Sequence, residues 1–217
     1  LYLFVFVLAI KTDSKGYWFF LPIILFISFL TKQTPTGNIF LVISSLSIFY
    51  FIINFDNKKI FLGILGSLTI IILFFILLIL TNISFESIYE QNISFPLTIG
   101  KNRVEYFLFP LEFSRIFLRF KLIHIPLFVL IFLVVRKVWN DSKYLKSNDF
   151  IIIISLISSS YIFIAHQLMT LNGMFIFFII PIIIGFTHIY YLELGGNKNY
   201  FLYLLILISV TSTLHYS

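Results

Sequence analysis

The polar residues best suited to chemistry lie in three short segments between long apolar runs. Lysine and arginine bind phosphate groups, arginine as a two-pronged donor and lysine as a compact charge. Histidine and glutamine at a membrane edge often line the path of a substrate. These residue types therefore favour recognition of an anionic, phosphate-containing ligand. The candidate substrate-binding residues are Lys32, Gln33, Lys101, Arg103, Arg115, Arg119, His166 and Gln167.

The first segment is the short stretch 31–37, where Pro35 and Gly37 predict a turn between two helices. Lys32 and Gln33 stand at its start. Two interpretations are open. Either Lys32 extends its ammonium group to lipid head groups as an anchor, or Lys32 and Gln33 bind a phosphate.

The second segment, 82–121, is too long for a plain connection and too apolar for a solvated loop. Between 104 and 121, Glu105, Glu112, Arg115 and Arg119 fall within one helical sector. This pattern predicts an amphipathic helix that lies in the membrane interface on the outer side. Glu112 can pair with Arg115 three residues later, which makes the helix a simple anchor. Alternatively, four cations form a docking surface for an anionic lipid head group or a pyrophosphate. These cations are Lys101, Arg103, Arg115 and Arg119.

The third segment, 166–172, is rich in His, Gln, Thr and Asn for so hydrophobic a chain. We expect it to be a loop between two membrane helices. His166 and Gln167 then either line a substrate path at the membrane edge or belong to a polar turn that Asn172 and Gly173 terminate.

Glu86 and Glu90 stand one helical turn apart and could share a metal ion or divide acid and base roles. The alternative is that both simply face water. Cysteine is absent, and the chain has no Walker loop, dinucleotide fingerprint, metalloprotease motif or nucleophile elbow. We therefore predict no metal site and no cofactor. The net charge of +6 is interpreted as attraction to acidic membrane lipid, with no nucleic-acid partner.

The elements that position these residues are predicted to be helices in a lipid bilayer. Of the 217 residues, 60% are hydrophobic and only 11% are charged. A soluble globular protein has about 45–50% apolar and about 25% charged residues. So few charges cannot cover a water-soluble core, so the chain is expected in a cell membrane with lipids as its surroundings.

A membrane-spanning helix needs about 20 mainly apolar residues. The chain contains one partial run at its start and seven further runs, which predict an all-α polytopic bundle with about seven full spans. We expect 1–217 to form a single transmembrane domain that includes 82–121 as an outer-face loop with interfacial helices. The runs are 1–10, 17–31, 38–55, 60–81, 122–136, 149–165, 173–191 and 200–215.

The distribution of Lys and Arg predicts the orientation of the chain. Cytoplasmic loops carry an excess of these residues. Nine of the 15 bases fall in alternate short loops, and we assign that side to the cytoplasm. The segments 31–37, 82–121 and 166–172 then face outward. The nine bases are Lys11, Lys15, Lys58, Lys59, Arg136, Lys137, Lys143, Lys146 and Lys198.

The chain begins inside an apolar run with no basic region before it, which is unlike a signal peptide. We therefore expect the sequence to be the C-terminal fragment of a longer protein, with the first residues forming the tail of a helix.

Several short motifs occur in a familiar order. Thr31-Lys32-Gln33-Thr34 ends one helix, Asn57-Lys58-Lys59 forms a basic turn, and Phe95-Pro96-Leu97 and Gly100-Lys101-Asn102-Arg103 lie in the long outer segment. This order, over about the first 140 residues, resembles membrane-embedded glycosyltransferases of the polyprenyl-phosphate-sugar-dependent C superfamily. The resemblance is to its protein mannosyltransferase-like and aminoarabinose transferase-like group.

The resemblance implies transfer of a sugar from a polyprenyl-phosphate donor to an acceptor on the outer face of a bacterial inner membrane. The outer cations would stabilise the leaving phosphate. The catalytic acid of the group lies in its first outer loop, and no residue here matches it, so the resemblance places it upstream of this chain. The cations concerned are Lys32, Arg103, Arg115 and Arg119.

Two other classes of function share the predicted helices. One is a polytopic transporter or a flippase for a lipid-linked polysaccharide. The other is a non-enzymatic subunit for polymer assembly. A transporter typically carries charged residues in mid-span, and no predicted span here has a charge at its centre. The sequence therefore favours the glycosyltransferase and leaves its sugar and acceptor open.

Overall fold

The computed structural model describes residues 2–12, 14–31, 33–103, 113–170, 176 and 178–216. Every regular element within these ranges is helical, so the all-α prediction is confirmed for the described part of the chain. The described ranges contain ten α-helices, two π-helical segments and one 3₁₀ segment.

The elements are numbered in chain order. They are α1 (Tyr2–Lys11), α2 (Gly16–Thr31), α3 (Gln33–Ile53), α4 (Asn57–Thr81), α5 (Phe85–Tyr89), π1 (Glu90–Ser94), α6 (Phe95–Arg103), π2 (Ser114–Leu118), α7 (Lys121–Asn140), the 3₁₀ segment (Ser142–Lys146), α8 (Asn148–Thr170), α9 (Ile179–Glu193) and α10 (Lys198–Tyr216).

Four described helices are long and apolar enough to cross a membrane, which is the pattern of a membrane protein. Three further apolar helices, α1, α2 and α9, are shorter. Each predicted run overlaps a described helix, but seven full spans stay a prediction. The four candidate spans are Pro35–Ile53, Asn57–Thr81, Lys121–Asn140 and Asn148–Met169.

The chain divides into two compact units, each described by itself below. Unit 1 comprises Leu1–Arg103 and Ile151–Ser155, and unit 2 comprises Val104–Phe150 and Leu156–Ser217. The single transmembrane domain expected from the sequence stays a prediction.

In unit 1, α2 packs against α1, α3 and α4, and its contact with α4 is the closest. A Cβ atom added to Gly66 on α4 would lie 2.1 Å from the carbonyl oxygen of Phe19 on α2. Pro22 has no N–H, so the carbonyl of Trp18 lacks its usual helical donor. That carbonyl faces Gly63, 3.8 Å from the position of an added Cβ. Small residues on α4 thus let the two backbones meet.

Asp56 starts α4 as its N-cap. Its carboxylate accepts hydrogen bonds from the backbone N–H groups of Lys58 at 2.9 Å and Lys59 at 3.2 Å. Desolvation pushes the pKa of Asp56 upward. The two hydrogen bonds and the charges of Lys15 and Lys59 outweigh it, and the pKa lies below its usual value.

In unit 2, α7 packs against α9, and α9 packs against α10. Ile123, Leu127 and Leu130 recur at helical spacing on the buried face of α7, and Ile180 and Ile183 do so on α9. This pattern fixes which face of each helix turns inward.

The turn predicted at Pro35 and Gly37 is wrong, because α3 begins at Gln33 and includes both residues. Pro35 is the third residue of the helix. The N–H groups of the first helical turn have no partner inside the helix, so the missing N–H of proline removes no helical hydrogen bond there. A proline so close to a helix start is therefore compatible with the helix.

Candidate functional site

Half of the eight candidate substrate-binding side chains lie outside the described part of the structure. Lys32 lies between the described ends of α2 and α3. Gln33, Arg103 and Arg115 have a described helical backbone, as the first residue of α3, the last of α6 and a member of π2, but their side chains lie outside the description. Their contacts with phosphate stay predictions.

Of the four cations predicted to form the docking surface, Lys101 and Arg119 have described side chains, and both are exposed. Lys101 lies on α6 of unit 1, and Arg119 follows π2 in unit 2. The Arg119 guanidinium lies 5.9 Å from the ring centroid of Phe120, a cation–π arrangement. A docking surface that combines these cations stays a prediction, and so does an interfacial helix over 104–121, since 104–112 lies outside the described residues.

The Arg119 backbone is held by the π-helical turn before it. Its N–H donates to the carbonyl of Ser114 at 3.2 Å, a bond across five residues. The imidazole of His124, in the first turn of α7, donates from Nε2 to the carbonyl of Ile116 at 3.0 Å. His124 is only 4% exposed, so this bond ties π2 to the buried face of α7. Short π-helical segments are often found at functional sites.

Four rings form a continuous stack beside this turn, which we call the aromatic column: Phe113, Phe117, His124 and Phe128. Neighbouring ring centroids are 5.0, 5.1 and 5.7 Å apart. Phe113, at the start of the column, is 67% exposed, and Phe128 is also exposed. The column therefore leads from the chain just before π2 into the second turn of α7.

His166 and Gln167 do not lie in a loop, and that prediction is wrong. α8 continues to Thr170, so both residues belong to its last two turns. The residues Ala165, Gln167, Leu168 and Met169 are good helix formers, which explains the continuation. Both side chains are buried, and Gln167 Oε1 has no hydrogen-bond partner among the described residues. Contact of His166 and Gln167 with a substrate stays a prediction.

Three buried serines on α8 were missed in the sequence. Ser155 and Ser160 each donate to a backbone carbonyl of their own helix at 2.7 Å. Ser159 Oγ is buried and lacks a hydrogen-bond partner within the described ranges. The signal in the sequence was helical spacing. Ser159 follows Ser155 by four residues and His166 follows Ser159 by seven, which places the three residues along one face of α8.

The two carboxylates Glu86 and Glu90 lie on α5 and at the start of π1, and both are exposed. In the part of the chain that the structure describes, no group of three acidic, His or Cys residues could hold a metal ion. The geometry thus supports the interpretation that these carboxylates face water.

A second polar cluster lies at the other end of α7, on the side assigned to the cytoplasm. Lys137 Nζ is 2.5 Å from Glu193 Oε2 and 4.4 and 4.9 Å from the ring centroids of Tyr144 and Tyr190. The two tyrosine hydroxyls share a hydrogen bond. Burial, together with that hydrogen bond and the charges of Asp149 and Glu193, raises the pKa of Tyr144, which stays a neutral phenol. The cluster fixes the 3₁₀ segment to α7 and α9.

Unit 1 contains a groove of about 240 Å³ between α2, α3 and α4. Small residues on α3 and α4 leave this space open. On α2 and α4 the lining residues are Trp18, Leu21, Pro22, Leu25, Gly63 and Ser67; on α3 they are Phe40, Ile43, Ser44, Ser47, Ile48 and Phe51.

Comparisons with known proteins leave the geometry as the main guide to function. The chain matches no known protein-family model, and searches among curated proteins and solved structures found no significant match.

Proposed function

We propose that the chain is the lipid-phosphate-binding part of a membrane glycosyltransferase, which transfers a sugar from a polyprenyl-phosphate donor to an acceptor on the outer face. The observation that carries this proposal is that the exposed Arg119 directly follows π2, whose Phe117 belongs to the aromatic column. A polyprenyl phosphate combines an anionic phosphate with a long unsaturated chain, and this region offers a partner for each part.

The phosphate partner is the guanidinium of Arg119. The side chain is exposed, while its backbone is fixed through Ser114 and through the bond from His124 to Ile116. A fixed backbone reduces the conformational freedom that an arginine loses when it binds, and arginine recognises phosphate through two parallel hydrogen bonds. Lys121, exposed in the first turn of α7, adds a second cation next to it.

The partner for the chain is the aromatic column. Its exposed rings, Phe113 and Phe128, present apolar faces to the membrane. Phe128 lies seven residues after Lys121, about 10 Å along the helix axis. A prenyl chain that descends from a phosphate at Arg119 would therefore remain in contact with aromatic surface over its first isoprene units.

The resemblance of the Thr31-Lys32-Gln33-Thr34 motif to the mannosyltransferase-like group supports the same conclusion. In the proposed reaction, an acceptor hydroxyl attacks the anomeric carbon of the sugar. The bond from that carbon to the phosphate oxygen breaks, with inversion at the carbon, and the phosphate leaves with the bonding electrons. Arg119 stabilises the charge that develops on the phosphate. The same role for Lys32 is a prediction from the sequence alone. We assign no residue of this chain as the base that activates the acceptor.

The test is sugar transfer from a polyprenyl-phosphate donor by Arg119→Ala and Lys32→Ala variants of the natural protein. Removal of one donor from a developing oxyanion lowers the rate by about 10²–10³. Lys143→Ala removes an equally exposed cation from the side assigned to the cytoplasm and should retain normal turnover.

Near-normal transfer by both outer variants would contradict the proposal. So would transfer that does not depend on a lipid-linked donor.

Transport of a lipid-linked substrate is the second candidate function. It is favoured by the buried polar residues of α8, because polar side chains inside membrane helices often line a transport path. Movement of a labelled lipid-linked sugar across vesicle membranes, without any change in its covalent structure, would favour this candidate. Substitution of Gln167 by Leu should then slow the movement.

A further inference from the structure

We propose that the helix after α4 inserts one row of apolar side chains into the lipid acyl chains of the outer membrane interface. The row, which we call the apolar stripe, consists of Phe85, Tyr89, Ile93 and Leu97. The sequence predicts interfacial helices within 82–121, and the stripe specifies which side chains of this part meet lipid. The proposal is independent of the glycosyltransferase reaction and of Arg119.

α5, π1 and α6 form one continuous helix, which we call the 85–103 helix. The backbone is helical at both junctions, at Tyr89 with φ −59° and ψ −47° and at Phe95 with φ −61° and ψ −48°. Between them, the N–H of Phe95 donates to the carbonyl of Glu90, a bond across five residues. The helix therefore contains one wide turn in an otherwise α-helical backbone.

This wide turn keeps the apolar stripe on one side of the helix. In an α-helix, four residues make about 40° more than one full turn, so residues spaced by four drift around the axis. A π-helical turn contains more residues, so four residues there fall short of a full turn and reverse the drift. Three steps of four residues lead from Phe85 to Leu97, and π1 lies in the middle of this path. The four side chains therefore stay close to one line.

Exposure follows the same spacing of four residues. The exposed fractions along the stripe are 62% for Phe85, 49% for Tyr89, 40% for Ile93 and 66% for Leu97. A second line with this spacing is half-buried and consists of Ile88, Asn92 and Pro96. Phe95 is exposed and lies off both lines. A continuous row of exposed apolar side chains marks a surface that meets lipid or another protein.

The stripe begins where the chain leaves the membrane. α4 is long and apolar enough to cross a bilayer, so its last residues reach the interface. Asn82 ends α4 in the left-handed conformation with φ 54°, and Ser84 caps the start of the next helix. Leu80, near the end of α4, is exposed, and Phe85 follows five residues later. The stripe is therefore continuous with the lipid-facing surface of α4.

The charges of the 85–103 helix favour a position along the interface. Glu86, Glu90 and Lys101 are exposed, and each would be costly inside the hydrocarbon core. A helix that lies in the interface keeps these charges among the head groups while its apolar side chains reach hydrocarbon. Tyr89 suits this depth, because tyrosine is enriched at membrane interfaces.

The size of the side chains favours lipid over a second protein helix as the occupant. Helices that associate in membranes bring small residues into the contact, so that their backbones approach closely. The contact of α2 with α4 follows this rule at Gly63 and Gly66. The stripe, in contrast, contains only large side chains. We therefore assign acyl chains to this surface.

The experiment places single spin labels along the 85–103 helix of the full chain. The chain contains no cysteine, so each label site can be introduced alone. The labelled proteins are reconstituted in phosphatidylcholine vesicles, because the stripe itself carries no charge. Electron paramagnetic resonance then measures the access of each label to oxygen, which concentrates in hydrocarbon, and to a water-soluble nickel chelate. The stripe variants are Phe85→Cys, Tyr89→Cys, Ile93→Cys and Leu97→Cys.

The matched controls are Gln91→Cys and Thr98→Cys, which replace exposed polar residues of the same helix. We expect the ratio of oxygen access to nickel access to be several-fold higher at all four stripe positions than at the two controls. Thr98 directly follows Leu97, so a difference between these two positions comes from the side of the helix and not from its depth along the chain.

Two outcomes would overturn the proposal. High nickel access at all six positions would mean that the helix lies in water. Stripe labels that are shielded from both reagents would mean that protein covers the stripe.

Helix content by circular dichroism checks that each variant is folded. If a stripe variant does not fold, the parent protein is tested with phosphatidylcholine that carries a photoreactive diazirine on its acyl chain. Crosslinks should then fall on the stripe residues, and their absence from 85–99 would refute the proposal.

Discussion

In unit 1, α2 and α4 meet backbone against backbone, whereas in unit 2, α7 and α9 meet through their side chains. The first contact depends on Gly63 and Gly66. The second includes buried isoleucines and the ion pair of Lys137 with Glu193. In lipid, the burial of apolar surface contributes little to helix association. Close packing and hydrogen bonds between helices therefore stabilise the contacts. Unit 1 shows close packing of two backbones, and unit 2 shows side-chain packing with polar contacts.

The largest effect is expected where the backbones touch. Gly66→Ala places a methyl group against the Phe19 carbonyl. This carbonyl is part of the backbone and cannot rotate away as a flexible side chain can, so the substitution forces α2 and α4 apart. We expect a loss of about 1–3 kcal/mol in the free energy of unfolding. Unfolding in mixed micelles of increasing SDS content measures it.

The matched control for this substitution is Gly185→Ala on α9, where an added Cβ meets no atom within 4 Å. Alanine is the better helix former, so this variant should be about 0.5–1 kcal/mol more stable. Equal effects at the two glycines would mean that unit 1 does not depend on its backbone contact.

A smaller effect is expected at the side-chain contacts of unit 2. Tyr144→Phe removes one of the two hydrogen-bonded hydroxyls and leaves that of Tyr190 buried without its partner. The expected loss is about 0.5–1.5 kcal/mol in the same assay. Tyr203→Phe removes an exposed hydroxyl and should change stability little. A Tyr144→Phe variant as stable as the parent would show that the tyrosine pair does not hold the 3₁₀ segment.

The ion pair of unit 2 should contribute less. Lys137 and Glu193 are both partly exposed, at 24% and 46% of the side chain, so solvent screens their attraction. A double-mutant cycle with Lys137→Gln and Glu193→Gln should give a coupling energy of about 0.2–1 kcal/mol, which falls with added salt. A larger, salt-independent coupling would indicate that the pair is effectively buried.

The smallest effect is the pH dependence of stability that Asp56 gives to unit 1. The pKa of Asp56 is lowered in the folded chain, so the ionised carboxylate favours folding. This contribution is present above the unfolded pKa of about 4 and disappears as the pH falls through the lower folded value. Unit 1 should therefore lose stability in acid, and Asp56→Asn should lose less. The pH dependence of SDS unfolding for the two proteins tests this, and identical acid profiles would exclude the N-cap as its source.

The helices were predictable from the sequence because apolar runs and basic loops are local patterns. The start of α3 and the end of α8 were not, since Pro35 and His166 are compatible with both a helix and a turn. The packing of neighbouring residues decides between the helix and the turn at these positions. The predicted outer cations could be named from charge alone, but the fixation of Arg119 required the bond from His124 to Ile116, which no spacing rule reveals.

Long-range contacts were the least predictable. Lys137 and Glu193 are 56 residues apart in the chain. The contact of Gly66 with Phe19 depends on the relative rotation of two helices that both have apolar residues on all sides. The groove beside Trp18 was missed for the same reason. It is defined by small residues that leave space, and residue types alone do not reveal an empty space.

The length of α4 makes the chain sensitive to the thickness of its membrane. With 25 residues, α4 is about 37 Å long, and its apolar residues continue to Leu80. α7, with 20 residues, is about 30 Å long, the thickness of an average hydrocarbon core. A helix that exceeds this thickness tilts or draws the bilayer thicker around it. We therefore expect lipids with longer acyl chains to collect beside α4, and bilayers of short-chain lipid to increase its tilt and strain its glycine contact with α2.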